Sequence, residues 1–184
     1  GKLHMFVAID RTSKFAFVEL HERATTAVSK EFLLRLIAAV PYKIHTVLTD
    51  NGIQFTTPGA GGSAVPLIRE AMAAGETIWA HAFEYACARN DIEHRTTKAK
   101  HPWTNGQVER MNRTLKDATV KRYHYDSHDE LKTHLQTFLM AYNFAKRLKT
   151  LKGLTPYEYI CKIWSENPDT FIINPPHYTV GLNN

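Results

Sequence analysis

The chain has 184 residues, 43% of them hydrophobic and 22% charged, enough for one globular domain with a sizeable core and too little for two large ones. No apolar run approaches the roughly 18 residues of a membrane-spanning helix. Two cysteines, Cys87 and Cys161, exclude a disulfide framework or a Cys-rich zinc site, so a reducing, cytoplasmic setting is expected. The formal net charge is +5, and the stretch from Glu93 to Tyr125, with eight Lys/Arg against three acids, carries all of it. Such a localised excess suits a polyanion partner, and equally a solvated helix face.

Met5 to Ile9 is a continuous apolar run that predicts a strand buried on both faces, ending at Asp10. Arg11 to Lys14 reads as a turn, and Phe15 to Leu20 as the antiparallel partner. Leu33, Leu36, Ile37 and Val40 recur with the period of a core-facing helix, which Pro41 stops. Ile44 to Thr49 predicts a second apolar strand, ending at Asp50 and the Asn51-Gly52 turn pair. Thr57 to Ala64 is a flexible Gly-rich loop. Beyond it Trp79, Phe83, Ala86 and Cys87 mark a helix, and Ile92 to Thr97 a short strand. Thr104 with Gln107, and Ser127 with Glu130, have capping-box spacing. They predict one helix with core positions Val108, Met111, Leu115 and Ala118, and another with Leu131, Leu135, Phe138, Leu139 and Tyr142. The tail after Pro168 reads as extended and packed on the surface. Strands and then helices in this order predict an α/β domain with a mixed sheet flanked by helices.

Two apolar strands thus each end in an aspartate, Asp10 and Asp50. In open α/β sheets ligands sit just beyond the carboxyl ends of the strands. Two carboxylates held there are costly unless a cation lies between them, and oxygen-only donors select a hard ion, Mg²⁺ or Mn²⁺. The same pattern also suits two aspartates that only start turns. Glu109 lies near the start of the basic helix. At 100° per residue Arg113 falls about 40° to one side of it and Lys116 about 20° to the other, so an acid and two cations share a face. An i,i+4 ion pair on a solvated stripe has the same spacing. The ten histidines show no zinc-ligand spacing, since Asp126-Ser127 breaks the helix between His124 and His128.

The segments AIDRTSKFAFVEL (8–20), LTDNGIQFT (48–56) and HPWTNGQVERMNRTLK (101–116) resemble the integrase-core domain of bacterial insertion-sequence transposases. That family belongs with retroviral integrases in the DDE group of the ribonuclease H-like superfamily. AYNFAKR (141–147) and GLTPYEYI (153–160) resemble the stretch beyond the core in that family. The resemblance implies a ribonuclease H-like fold, with residues 1–147 as the catalytic core and 148–184 as a C-terminal extension. It implies Asp10, Asp50 and Glu109 as catalytic and metal-binding residues for two Mg²⁺ or Mn²⁺ ions. It implies Asn105, Arg113 and Lys116 as DNA contacts; Lys121 and Arg122 are expected to add phosphate contacts, and Trp103 to stack on an unpaired base or anchor its loop. DNA, transposon ends and target duplex, is the implied partner, with assembly as a homo-oligomer. Asp50 and Glu109 lie 59 positions apart, more than the family's usual spacing, which reads as an insertion near 57–80. Lys149 stands where many relatives have His. The alternatives are a ribonuclease H-like nuclease without strand transfer, and a non-catalytic DNA-binding or assembly module.

Overall fold

The computed structural model describes residues 2–59, 61–97 and 105–175. Trp103 and the rest of the segment 98–104 lie outside the described residues, as does the expected helix cap Thr104. The elements run β1 (His4–Ile9), β2 (Ala16–His21), α1 (Thr26–Ala39), β3 (Thr46–Thr49), α2 (Val65–Ala73), α3 (Ala82–Arg89), β4 (Glu93–Thr96), α4 (Gly106–Ala118), α5 (His128–Phe144) and α6 (Pro156–Glu166). None of the described helices is long and apolar enough to cross a membrane. The chain forms two compact units.

One unit comprises the chain through His4, His21–Ala38 and Ile44–Gly106. In it β3 pairs in parallel with β4, Thr46 opposite Glu93 and Thr49 opposite Thr96. Parallel partners need a long crossover, and α2 and α3 supply it. Leu33, Val65, Ile68, Phe83, Cys87 and Ile92 form the core here, each large apolar side chain adding about 1.5–3 kcal/mol of burial. α2 falls inside the stretch that reads as an insertion and has no counterpart among the expected elements. Its signature is Pro66 in the first turn and Val65, Ile68 and Met72 at helical spacing. α3 starts only at Ala82, with His81 as its N-cap accepting the Phe83 N–H. Trp79 therefore stands outside the helix it is expected to mark, and is fully exposed.

The other unit comprises Met5–Leu20, Ala39–Lys43 and the chain from Gln107 onward. β1 and β2 are hydrogen-bonded neighbours joined by six residues, too short a link for a parallel crossover, so they form an antiparallel hairpin. Only Phe6 of β1 is buried, so the run Met5–Ile9 is not covered on both faces as its composition suggests. Ala16 and Val18 of β2 alternate inward to meet Met111 and Leu115 of α4 and Leu135, Leu139 and Tyr142 of α5. These are apolar positions expected for both helices. Asn143 of α5 fastens this packing: its Oδ1 accepts the Ala16 N–H at 2.9 Å and its Nδ2 donates to the Ala16 carbonyl at 2.8 Å. Without it two buried backbone groups lose their partners, at about 1–3 kcal/mol each. Beyond α5, Phe144 packs on Tyr157 of α6 at 4.8 Å, and Arg147 forks onto Glu158. α6 itself begins with a full capping box, Thr155 with Glu158. Among the described residues the expected mixed sheet is thus two two-stranded pairs, one a hairpin and one parallel.

Candidate active site

Asp10 is the first residue past β1, and the hairpin turn is built around it. Its N–H donates to the Phe15 carbonyl at 2.9 Å and its own carbonyl accepts from the Lys14 N–H at 2.8 Å. Lys14 takes a left-handed conformation, φ 63°, to close the turn. The carboxylate is held from three directions. Oδ1 accepts the Thr12 N–H at 2.9 Å, and Oδ2 accepts the hydroxyls of Ser13 at 2.6 Å and Tyr42 at 2.9 Å. Burial first, then the charge of Asp10 and the hydrogen bond to it, push the Tyr42 phenol far above its ordinary pKa, so it stays a donor. Three of about four acceptor positions are used, leaving Asp10 able to accept one more partner on Oδ1.

Glu109 lies exposed in the first turn of α4. The Lys14 ammonium donates to Gln107 Oε1 at 3.0 Å, tying the turn that starts at Asp10 to the first turn of α4. Asn105 is half-buried just before the helix, and Arg113 and Lys116 project exposed along it. Lys121 pairs with Asp117 at 2.7 Å, and the Arg122 guanidinium lies over the Tyr123 ring at 5.6 Å. Both are exposed contacts worth under about 1 kcal/mol, which a phosphate would readily displace.

Asp50 is the first residue past β3, in the other unit, and is exposed. Its Oδ1 accepts the Gly52 N–H at 2.9 Å, and Asn51 Nδ2 donates to the Thr97 carbonyl at 2.8 Å, pinning the turn to the end of β4. Gly52 is closely approached: a Cβ there would stand 2.5 Å from the Gln54 amide and 2.8 Å from Asp50 Oδ1, so a side chain would make these side-chain ends shift.

Behind Asp50 lies a buried polar chain that sequence reading missed. Glu84 and His94 side chains are both 0% exposed, with His94 Nδ1 3.3 Å from Glu84 Oε1 and His94 Nε2 2.8 Å from the Thr49 hydroxyl. Glu84 Oε1 also accepts the Ala64 N–H at the start of α2. The one available signal was an acid and a histidine on otherwise apolar faces. Burial lowers the His94 pKa, outweighing the opposing hydrogen bond and charge of Glu84. The folded state therefore binds fewer protons than the unfolded chain between its own pKa and the unfolded value of about 6.5. Stability from this group is fully present above about pH 6.5 and declines as pH falls through that window, by at most about 1.4 kcal/mol per pH unit. Urea unfolding between pH 5 and 8 is expected to show that decline and His94→Gln to flatten it; equal slopes in the two proteins would contradict the assignment.

Among the described residues no three His, Cys, Asp or Glu side chains are gathered into a metal-holding group. Asp10, Asp50 and Glu109 each offer carboxylate oxygens, donors of the kind a hard divalent cation takes.

The chain matches two models described as "Integrase core domain", one over residues 1–102 and one over residues 90–156. It is 28% identical over 155 residues to an uncharacterised protein of Caenorhabditis elegans, covering 84% of this chain and 10% of that protein. The chain thus spans about a tenth of the length of that relative. Its fold is similar to the catalytic core domain of BIV integrase, with TM-score 0.63, 23% identity and 90% of each chain covered. It is also similar to a chain of a simian T-cell lymphotropic virus intasome solved with a PP2A regulatory subunit, with TM-score 0.63, 21% identity, 85% of this chain and 48% of that one. The fold is the α/β, ribonuclease H-like fold of integrase catalytic cores.

Proposed function

The chain belongs to the integrase core domain family, and we propose that it cleaves DNA at transposon ends and joins the freed 3′ ends to a target duplex. Domains of this family are of the polynucleotidyl-transferase type and generally use divalent metal ions, and integrase relatives act on DNA within intasome assemblies. The observation that carries the finer reading is the placement of the acids. Asp10 and Asp50 each stand on the first residue past a strand, and Glu109 stands in the first turn of α4, which Lys14 and Gln107 link to the Asp10 turn.

In this reading Asp10, Asp50 and Glu109 are the ligands of two Mg²⁺ or Mn²⁺ ions, and the core spans 1–147 with 148–184 as an extension. Those residues would hold the ions, which when bound would supply activation of the attacking oxygen and stabilisation of the leaving one. Thr12, Ser13 and Tyr42 keep the Asp10 carboxylate in a single orientation, and Gly52 does the same for Asp50. Arg113, Lys116, Lys121 and Arg122 grip phosphates, Asn105 contacts the DNA end, and Trp103 stacks on an unpaired base. In hydrolysis a water oxygen bonds to phosphorus as the bond to the 3′ oxygen breaks; the water gives a proton to solvent and the leaving 3′ oxygen takes one up, becoming a 3′-hydroxyl. In joining, the freed 3′-hydroxyl takes the place of water. The protein acts on paired ends as a homo-oligomer.

Supplying pre-nicked transposon-end duplex with Mg²⁺ and a second duplex tests the reading. Covalent joining of the 3′-hydroxyl to the second duplex is expected. Hydrolysis without joining would favour a nuclease of the same superfamily, and binding without either reaction a non-catalytic module.

A further inference from the structure

Tyr42 reaches Asp10 from a segment that the C-terminal part of the chain holds in place. Pro41 is fully buried, and its carbonyl accepts the N–H groups of Ile172 at 2.8 Å and Ile173 at 3.3 Å. The Lys43 N–H donates to the Thr170 carbonyl at 3.3 Å, and Tyr42 and Phe171 form an antiparallel bridge. Their rings meet edge to face, centroids 5.9 Å apart at 85°. The strap is anchored on both sides: a 3-10 turn, Pro168–Thr170, joins it to α6, and the Tyr157 hydroxyl of α6 donates to the Pro175 carbonyl. Residues 170–173 thus fix the backbone and ring of Tyr42, whose hydroxyl in turn fixes Asp10 Oδ2.

We propose that Tyr42 is a positioning residue for the Asp10 carboxylate and that the strap 170–173, acting through Tyr42, sets the affinity of the site for divalent cations. The inference rests on Asp10 being a metal ligand. A carboxylate whose rotamer is already fixed loses less freedom when it coordinates, and partners that orient a ligand carry a sizeable share of metal affinity. The strap contributes no ligand. It makes the tail after α6, which reads from the sequence as a surface trailer, a determinant of the site.

Mn²⁺ titration of the 184-residue protein, followed by the electron paramagnetic resonance signal of the free ion, tests this without an activity assay. Tyr42→Phe removes only the hydroxyl and keeps the ring contact with Phe171, and is expected to weaken Mn²⁺ binding about tenfold. Phe171→Ala is expected to weaken it about threefold, the scale of one aromatic pair. The double variant is expected to bind no more weakly than Tyr42→Phe alone, because Phe171 works only through Tyr42. Phe171→Leu replaces the alanine variant if far-UV circular dichroism shows the latter unfolded. Parent-like affinity in Tyr42→Phe would overturn the proposal, as would additive losses in the double variant. Asp10→Asn separates the two levels. If it abolishes saturable binding while Tyr42→Phe does not weaken it, the positioning role alone fails; if Asp10→Asn binds Mn²⁺ as the parent does, the ligand assignment fails and the positioning role with it.

Discussion

Asp10→Asn is expected to lower metal-dependent cleavage by about 10³-fold or more, while metal-free DNA binding stays within about twofold of the parent. The substitution keeps the side-chain volume but removes the charge that would hold a cation. It also disturbs the local hydrogen bonding. Two hydroxyls, from Ser13 and Tyr42, converge on Oδ2, and an amide can offer them its oxygen only by turning its NH₂ toward the Thr12 N–H, where Oδ1 now accepts. The carboxamide is therefore wrong in charge and in donor pattern together. Glu109→Gln should produce a loss of the same kind with less disturbance of the fold, since Glu109 is exposed in the first turn of α4. Gel-resolved cleavage of end-labelled duplex with Mn²⁺, beside filter binding in EDTA, checks both halves. An Asp10→Asn protein that cuts at the parent's rate would remove Asp10 from the site.

DNA affinity should fall roughly 10²-fold between 50 and 200 mM salt. That expectation comes from four phosphate contacts, by Arg113, Lys116, Lys121 and Arg122, at a slope of about 0.9 per contact on a log–log plot. All four residues are exposed, on α4 or just past its end, where each can neutralise a phosphate and release the cation condensed on the DNA there. The ion pair of Lys121 with Asp117 must open first, at a cost under about 1 kcal/mol, so it trims the affinity without changing the slope. The double variant Arg113→Ala/Lys116→Ala should lower the slope by about 1.8 while leaving the fold intact, because neither side chain is buried. Fluorescence anisotropy of a labelled duplex across a salt series measures this, and an unchanged slope would show that DNA lies elsewhere.

The parts of this protein legible in its sequence are those whose signal is local. The apolar runs ending at Asp10 and Asp50 announce two strand ends, and the stripes Met111–Leu115 and Leu135–Leu139–Tyr142 announce two core-facing helices. Each depends on a period within one element, and each reappears in the structure. α2 is hard to see because it is only nine residues long and comes after a Gly-rich stretch that reads as loop. Trp79 misleads because it stands at helical spacing from Phe83 and Ala86, whereas the cap at His81 starts the helix three residues later and leaves the indole in solvent. Tyr42 is the clearest case of a role that a linear reading lacks. Its partners are Asp10, 32 positions earlier, and Phe171, near the far end of the chain, and no spacing rule connects them. The Glu84–His94 pair is hidden for a related reason: an acid and a histidine become one buried unit only after α3 packs against β4.

A crystal structure of the protein soaked in Mn²⁺, with the ions located by their anomalous scattering, tests the metal assignment most directly. Density coordinated by oxygens of Asp10, Asp50 and Glu109 is expected. Manganese bound by other side chains, or bound with Glu109 remote from it, would contradict the assignment and the polynucleotidyl-transfer chemistry built on it.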